Sequence, residues 1–377
     1  MKKQITAIIL ATTLGLSLQP IIGAAETKQN VQATQQNGWI EDGNGTWFFY
    51  DHGVKKTGWV LSNDKWYYLD GNAGGALKTG WYQEGEKWFY LDPSAEGPKG
   101  AKKVGWVQVY GKWYYLDPTT DGSMKTGWVQ VHGRWFYLDG NDGGAMKTGW
   151  IQVNGRWFYL DAEGAMKTGW VLSNDKWYYL DAEGAMKTGW YQEGEKWFYL
   201  DPAAQGAKKV GWAEVNGKWY YLDPTTDGSM KTGWVQVDGK WYYLDGNAGG
   251  AMKTGWNKID GKMSYFKEDG QWIEGTERTV RATAYTNDPA ENGTPAGQHV
   301  YTRMGDDLTA NPNLKIIAVD PSVIPLGSKV YVEGYGPAEA RDTGGAIKGN
   351  KIDVFVPSKE VSYNWGVKNV KIYVLPK

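Results

Sequence analysis

Three aspartates near the C-terminus carry the clearest signal for chemistry. Asp320, Asp342 and Asp353 each stand where a short apolar run meets a turn, in a Gly-rich stretch with strand-forming residues. We expect the three carboxyl groups to gather at one groove, where they can serve acid and base catalysis. Three aspartates also satisfy the ligand count of a metal site, but no histidine or glutamate supports one. We therefore predict neither a metal nor a cofactor.

Each aspartate also has a structural explanation. Asp320 precedes Pro321 and Asp342 precedes Thr343, so either side chain can simply stabilise a turn. Asp353 lies inside the apolar run KIDVFV, where an unpaired carboxylate is costly. A purely structural role is therefore weakest for Asp353.

The residues around these aspartates predict a small barrel. RTVRATAYT, KIIAV, SKVYVEG, AEAR, KIDVFV and VKIYVL are rich in Val, Ile and Tyr and predict six short strands. SKEVSYNWG predicts one short helix. Six strands in about 100 residues favour a closed barrel, which leaves no exposed sheet edge.

A long aromatic repeat precedes the barrel. Gly-Trp pairs recur at intervals of roughly 20 to 25 residues, which is typical of repeat architectures. A run such as KWYYLD at Lys65–Asp70 follows each pair and predicts a hairpin. Successive side chains of a strand point to opposite faces of the sheet, so Trp66 and Tyr68 should share one face and Tyr67 and Leu69 the other. A lone hairpin is marginally stable, so stacked hairpins forming an elongated β-solenoid are predicted.

The start of the sequence indicates export. Lys2 and Lys3 precede a short apolar run, and Gly23, Ala24 and Ala25 follow it, as in a secretory signal peptide. The run is shorter than the roughly 20 residues that span a bilayer. The formal net charge of −1 argues against a nucleic-acid partner, and the absence of cysteine excludes disulfides.

The repeats resemble the choline-binding (cell-wall-binding) repeats of Gram-positive surface proteins. This resemblance implies cages in which aromatic rings of adjacent hairpins hold choline of teichoic acid through cation–π contacts. Each predicted cage combines the tryptophan of a Gly-Trp pair with the Trp and the second aromatic of the next run. The predicted sets are Trp106, Trp113 and Tyr115; Trp128, Trp135 and Tyr137; Trp150, Trp157 and Tyr159; Trp170, Trp177 and Tyr179. Another wall glycan as ligand, or a purely structural spacer, remains an alternative.

The C-terminal residues resemble the three-aspartate (3D) domain, which is related to lytic transglycosylase A and to stationary-phase survival proteins. ATAYT at 282, AVDPSVIPLGS at 318, ARDTGGAIKG at 340 and KIDVFV at 351 carry the resemblance. It implies a double-psi β-barrel with Asp353 as catalytic acid and with Asp342 and Asp320 as supporting carboxylates. The residues implied in substrate binding are Thr283, Tyr285, Thr343, Gly344, Gly345 and Lys348.

The implied reaction is cleavage of the MurNAc–GlcNAc β-1,4 bond of peptidoglycan to a 1,6-anhydro product. One acid protonates the leaving oxygen and then, as a base, takes the proton of the MurNAc C6 hydroxyl. A hydrolase acting on the same bond and a non-catalytic wall-binding protein are the alternatives.

The prediction is therefore an all-β, secreted, Gram-positive wall protein with peptidoglycan and a wall polymer as partners. Its expected segments are a signal peptide at 1–25, a polar linker at 26–37, a repeat solenoid at 38–276 and a 3D domain at 277–377.

Overall fold

The computed structural model describes residues 36–94 and 99–377. The predicted signal peptide and most of the predicted linker lie outside these residues. The described part consists mainly of β-strands, with one α-helix and four short 3-10 helices, which confirms the all-β prediction. In the described residues no helix is long and apolar enough to cross a membrane.

The repeat region is a succession of short strands. Those up to residue 146 are β1 (Gly38–Glu41), β2 (Trp47–Asp51), β3 (Val54–Lys55), β4 (Gly58–Ser62), β5 (Lys65–Asp70), β6 (Ala76–Leu77), β7 (Gly80–Glu84), β8 (Lys87–Asp92), β9 (Ala101–Lys102), β10 (Gly105–Val109), β11 (Lys112–Leu116), β12 (Gly127–Val131), β13 (Arg134–Asp139) and β14 (Ala145–Met146). The next are β15 (Gly149–Val153), β16 (Arg156–Leu160), β17 (Gly169–Ser173), β18 (Lys176–Leu180), β19 (Gly189–Glu193), β20 (Lys196–Asp201), β21 (Ala207–Lys208), β22 (Gly211–Val215), β23 (Lys218–Leu222), β24 (Gly233–Val237), β25 (Lys240–Asp245), β26 (Ala251–Met252), β27 (Gly255–Ile259), β28 (Lys262–Phe266) and β29 (Trp272–Ile273). The 3-10 helices are Gly71–Ala73, Gly140–Asp142, Pro202–Ala204 and Gly246–Ala248.

Each repeat is built on an antiparallel hairpin. In the hairpin of β4 and β5, Trp59 pairs with Tyr68 across the two strands. The turn residues Asn63 and Asp64 have φ values of 49° and 58°. Two central residues with positive φ match the twist of the flanking strands, and Asn and Asp tolerate this conformation well. The turn predicted at SNDK is therefore present.

Alternation along the second strand of each hairpin sets the core. Leu69 is fully buried and Tyr67 is 5% exposed, whereas Trp66 is 42% exposed. The predicted division into an inner and an outer face is confirmed here. The same fully buried leucine recurs in eight further repeats, at Leu91, Leu116, Leu138, Leu160, Leu180, Leu200, Leu222 and Leu244. Tyr50 takes its place in the first hairpin and Phe266 in the last.

The aspartate that ends many of these strands has a structural function. Asp70 accepts a hydrogen bond from the backbone N–H group of Asn72. It also forms an ion pair with Lys78, in which Oδ2 lies 3.2 Å from Nζ. The same lysine–aspartate pair joins Lys103 to Asp92 and Lys253 to Asp245. These pairs fix the loop that leads into the next Gly-Trp.

The chain forms two compact units. One comprises residues up to Val129 together with Tyr137–Met146, and the other comprises Gln130–Phe136 and Lys147–Lys377. The boundary passes through the repeat that contains β12 and β13.

Six C-terminal strands close into a barrel, as predicted. They are β30 (Thr276–Tyr285), β31 (Ile316–Ala318), β32 (Lys329–Val332), β33 (Gly336–Asp342), β34 (Lys351–Phe355) and β35 (Lys368–Val374). Their order around the barrel is β30-β34-β31-β33-β32-β35. β30 runs parallel to β34 and β31 runs parallel to β33, while the other neighbouring pairs are antiparallel.

The barrel interior is aliphatic. Ala282, Ile317, Val330, Ile352 and Val354 are fully buried in one hydrophobic cluster. A smaller cluster beside it contains Val300, Leu308, Ile316 and Phe355.

The predicted helix is also present, as α1 (Lys359–Trp365). Its N-cap is Ser358, whose hydroxyl accepts a hydrogen bond from the backbone of Val361.

Candidate functional site

Strand register places Asp353 at the centre of the candidate site. On β34 it pairs with Thr283 of β30 on one side and with Ala318 of β31 on the other. Ala318 in turn pairs with Asp342 of β33. Since neighbouring strands lie about 4.8 Å apart, the backbones of Asp342 and Asp353 are separated by about 10 Å. Two of the three predicted aspartates thus share one region of the barrel.

Asp353 has the environment of a catalytic acid. Its Oδ1 atom is buried and has no hydrogen-bond partner among the described residues. Burial raises the pKa of Asp353 to about 6, and the charges of Glu291 and Asp342 act in the same direction. The hydroxyl group of Thr283 opposes this shift in pKa. An acid with this pKa is partly protonated near neutral pH and can both donate and accept a proton.

Asp342 is held by three hydrogen bonds. Its Oδ2 accepts from the hydroxyl group of Tyr285 at 3.0 Å. Its Oδ1 accepts from the backbone N–H groups of Arg303 and Thr343, each at 2.8 Å. Only 9% of Asp342 is exposed. Burial and the charge of Asp342 raise the pKa of Tyr285 far above its usual value, so that Tyr285 stays protonated and can donate.

Asp320 has a different environment. Its Oδ1 accepts from the backbone and the hydroxyl group of Ser322, and its Oδ2 accepts from the backbone of Gly349 at 2.8 Å. The Gly349 bond is the main reason that the pKa of Asp320 falls to about 2. The charged groups that act on Asp353 are Glu291 and Asp342, not Asp320. Asp320 therefore ties the turn after β31 to the loop before β34.

The predicted substrate-binding residues are divided between these two regions. Thr283 and Tyr285 lie on β30 beside Asp353 and Asp342. Lys348 acts on Asp320, whose pKa it helps to lower. The remaining members are Thr343, Gly344 and Gly345, which begin the loop after β33. A Cβ on Gly344 would come within 2.9 Å of the Ile347 side chain, so the tight turn there requires glycine.

Sequence reasoning missed Glu291. This residue lies in the loop after β30 and raises the pKa of Asp353. Its Oε2 accepts from the backbone and the hydroxyl group of Thr286, at 3.0 Å and 2.8 Å. The surrounding sequence NDPAENGTPAG has no strand periodicity, so no local pattern could have assigned this carboxylate to the site. In residues 36–94 and 99–377, no three His, Cys, Asp or Glu side chains form a group that could hold a metal.

The predicted aromatic sets follow the hairpin register. The tryptophan of each Gly-Trp pair faces the second aromatic of its own hairpin. The ring centroids are 5.1 Å apart in three pairs, Trp106–Tyr115, Trp128–Tyr137 and Trp150–Tyr159. They are 5.2 Å apart in Trp170–Tyr179. The Trp at the second position of each second strand stays exposed by about two fifths, at Trp113, Trp135, Trp157 and Trp177. Trp128 and Tyr137 belong to one compact unit and Trp135 to the other.

A cavity in a later repeat shows which aromatic side chains enclose space. It has a volume of about 530 Å³ and is lined by Trp190, Trp197, Tyr220 and Met230. Trp190 lies 6.4 Å from Trp197 and 4.9 Å from Tyr220, measured between ring centroids. Tyr220 is the first aromatic of the following hairpin, whereas the predicted pattern would use the second aromatic of the same hairpin, Tyr199. The third wall of this cavity thus comes from the next repeat.

Comparisons with known families agree with both resemblances. The 3D domain model matches residues 315–376. The choline-binding repeat model matches residues 103–148, 147–189, 168–207 and 209–254. A cell wall binding repeat model matches residues 57–72, 79–94 and 254–271.

A cell wall-binding protein of Bacillus subtilis is similar to part of this chain. The chain is 67% identical over 99 residues to the cell wall-binding protein YocH of Bacillus subtilis strain 168, a match that covers 26% of this chain and 32% of YocH. The chain spans no more than about a third of the length of the curated relatives that it matches.

Two solved structures come from Streptococcus pneumoniae. CbpJ of strain TIGR4 is 30% identical, with a TM-score of 0.47, and the match covers 70% of this chain and 97% of CbpJ. Choline binding protein F is 29% identical, with a TM-score of 0.42, and the match covers 63% of this chain and all of that protein. The family matches confirm that the chain carries choline-binding and cell wall-binding repeats together with a C-terminal 3D domain.

Proposed function

We propose that this protein is a secreted, wall-anchored enzyme whose barrel cleaves the MurNAc–GlcNAc β-1,4 bond of peptidoglycan by lytic transglycosylation. The observation that carries the proposal is Asp353, a partly buried acid with an unpartnered Oδ1 and a pKa near 6. The 3D domain match supports action on the cell wall.

The proposed reaction uses Asp353 twice. Protonated Asp353 first gives its proton to the glycosidic oxygen, and the bond from MurNAc C1 to that oxygen breaks. The carboxylate then takes the proton of the MurNAc C6 hydroxyl group as O6 bonds to C1. The products are a GlcNAc hydroxyl end and a 1,6-anhydro ring, and Asp353 returns to its protonated form without consuming water.

The environment of Asp342 favours this one-acid route over hydrolysis. A glycosidase that uses water needs a second carboxylate that is free to act as base or nucleophile. Both oxygens of Asp342 already accept hydrogen bonds, from Tyr285, Arg303 and Thr343. Asp342 is therefore assigned to electrostatic support: it raises the pKa of Asp353 and stabilises positive charge on the sugar ring.

The walls of the groove are assigned to substrate binding. Thr283 lies directly opposite Asp353, where its hydroxyl group can contact sugar as well as the acid. The exposed backbone at Gly345 and the side chain of Thr343 offer hydrogen bonds to sugar hydroxyl groups. Lys348 is exposed and is assigned to the peptide substituent of the glycan.

The repeats are proposed to hold the enzyme at the wall. Their aromatic cavity, formed by Trp190, Trp197 and Tyr220, suits a quaternary ammonium group because ring faces attract a cation that has no N–H group to donate in a hydrogen bond. The ligand class we favour is choline on teichoic acid, with another wall glycan as the alternative. The repeat matches and the name of YocH support a location at the cell wall.

The test is mass spectrometry of purified peptidoglycan after digestion with the wild-type chain, Asp353→Asn and the surface control Glu277→Gln. The proposal expects anhydromuropeptides from wild type and control, and none from Asp353→Asn. Reducing ends instead would replace transglycosylation with hydrolysis. No product from any of the three proteins would favour a non-catalytic wall-binding protein.

A further inference from the structure

One loop position determines which side chain reaches the aromatic rings between consecutive repeats. It is the third residue of GAMKTGW and its variants, and methionine or leucine stands there in most repeats. Lysine stands there instead at Lys102 and Lys208 in the two GAKKVGW repeats, and at Lys55 in GVKKTGW of the first repeat.

Lys208 places its ammonium group among three rings. Its Nζ lies 5.2 Å from the ring centroid of Trp170 and 5.8 Å from those of Trp177 and Phe198. All three distances are within the range of a cation–π contact. Three rings around one ammonium group form a cage, not a chance surface contact.

The same arrangement occurs in the first compact unit, where the sequence around Lys102 closely repeats that around Lys208. Nζ of Lys102 lies 5.2 Å from Trp59, 5.9 Å from Trp66 and 5.8 Å from Phe89. The close agreement between the two sites shows that the lysine position is a property of this repeat type.

These lysines take the place that methionine occupies in the cavity at Trp190. Trp170, Trp177 and Phe198 hold the repeat positions of Trp190, Trp197 and Tyr220, and Lys208 holds the position of Met230 (all from the spacing of the repeat).

Both side chains also lie against a glycine, and the two glycines hold equivalent positions in the loop of the following repeat. A Cβ on Gly250 would come within 2.6 Å of Met230, and a Cβ on Gly228 would come within 3.3 Å of Lys208 Cε. The lysine thus enters the space between repeats along the path that methionine uses.

Hydrogen bonds hold each ammonium group in position. Nζ of Lys208 donates to the backbone carbonyl of Asp227 at 2.6 Å, and Nζ of Lys102 donates to that of Asp121 at 2.7 Å. Burial lowers the pKa of both lysines, while the charge of the nearby aspartate raises it. The lysine head groups are therefore fixed within the rings.

We propose that Lys102 and Lys208 are internal cations that occupy two aromatic sites and keep them closed to an external quaternary ammonium ligand. The inference rests on the proposed binding role of the repeats, because it concerns which of their sites are open. An ammonium group tethered to the same chain competes with any free cation at high effective concentration. The array then binds fewer ligands than its number of repeats would suggest.

The test is isothermal titration of the full chain with choline chloride. Lys208→Met should add one binding site per chain, and Lys102→Met combined with Lys208→Met should add two. Met230→Lys should remove one site. Lys187→Met is the matched control, because Lys187 is 53% exposed and pairs with Asp181; its stoichiometry should equal that of wild type. Equal stoichiometry in wild type and the double variant would overturn the proposal.

A second readout separates this proposal from the choline proposal. In ligand-free protein, the surrounding rings should shield Lys102 and Lys208, so that both react with an amine-acetylating reagent about tenfold more slowly than Lys187, as followed by peptide mass spectrometry. Their lowered pKa alone would act in the opposite direction, because it increases the neutral, reactive fraction of the amine. If no protein binds choline, the ligand assignment fails and the acetylation rates alone decide the lysine proposal. Equal rates at the three lysines would then refute it.

Discussion

At the scale of single residues, the pKa of Asp353 is set by its burial and by its charged neighbours. Glu291 and Asp342 both raise its pKa through like charge, and burial supplies the larger part of the shift. The protonated fraction falls as the pH rises through about 6, so turnover limited by this acid should decline above that pH.

Glu291→Gln tests the contribution of like charge. Glutamine keeps an oxygen for the Thr286 hydrogen bonds but removes the negative charge. The pKa of Asp353 should then fall, and the alkaline limb of the pH–rate profile should move down by roughly 0.5 pH units. This displacement of the alkaline limb is measured from rates of muropeptide release between pH 4.5 and 8.5, with Glu277→Gln as the surface control. An unchanged limb would mean that Glu291 does not act on Asp353, the proposed acid.

Asp353 should also reduce the stability of the barrel at neutral pH. Its pKa is raised in the folded state, so folding favours the protonated acid, and stability is lost as the pH rises from about 4 to 6. The shift corresponds to at most about 3 kcal/mol. Asp353→Asn should therefore slow hydrogen exchange in β34 at pH 7.5 and have little effect at pH 4. Faster exchange in the variant at pH 7.5 would contradict this assignment.

Asp320 should behave in the opposite way. Its pKa is lowered in the folded state, so its stabilising effect is present above pH 4 and is lost as the pH falls through about 2. Asp320→Asn should speed hydrogen exchange in residues 343–350 at pH 7.5, because the bond to Gly349 is weakened. Turnover should fall less than in Asp353→Asn. Complete loss of activity with unchanged exchange would instead place Asp320 in the chemistry.

These contrasts show what the sequence could and could not predict about the site. The apolar run around Asp353 predicted a buried strand carboxylate, because strand periodicity is local information. Whether Asp320 reaches the groove or ties two loops depends on the partner Gly349, which is remote in sequence. Glu291 acts across a loop of irregular structure, and no local pattern encodes that contact.

At the scale of elements, the buried leucine of a hairpin should be its most sensitive position in the nine hairpins that have one. Leu200 is fully buried, and its truncation to alanine removes core contacts and should destabilise its repeat by about 2–5 kcal/mol. Leu172→Ala is a matched control, since the same residue type there is 52% exposed. Hydrogen exchange of β19 and β20 should rise only in Leu200→Ala. Equal effects of the two substitutions would contradict the assigned core.

The hairpins could be predicted from the sequence, but the residues that line the cavities between them could not. Alternation and turn residues such as Asn63 and Asp64 define each hairpin locally. The cavity at Trp190 takes its third ring from Tyr220 of the next hairpin, which depends on how repeats stack. Sequence spacing gives the partner within a hairpin, whereas stacking determines which side chains line the cavity.

At the scale of the whole molecule, retention at the wall and cleavage of glycan should be separable. Several weak sites on one chain bind a polymer with far greater avidity than any single site, provided that they can engage together. Substituting Trp197, Trp219 and Trp241 by alanine together should therefore weaken wall retention by roughly 10²–10³-fold. All three side chains are exposed by about two fifths, so the hairpin cores should persist.

Wall-pelleting assays and turnover of soluble glycan fragments measure the two functions side by side. The triple variant should lose retention and keep its turnover, whereas Asp353→Asn should keep retention and lose turnover. Tyr110→Asn is the control for aromatic loss, because Tyr110 is fully exposed at a turn with positive φ, which asparagine tolerates. If the triple variant pellets as wild type does, the tryptophan rings do not anchor the protein. Loss of turnover on soluble fragments in that variant would mean that the repeats take part in cleavage itself.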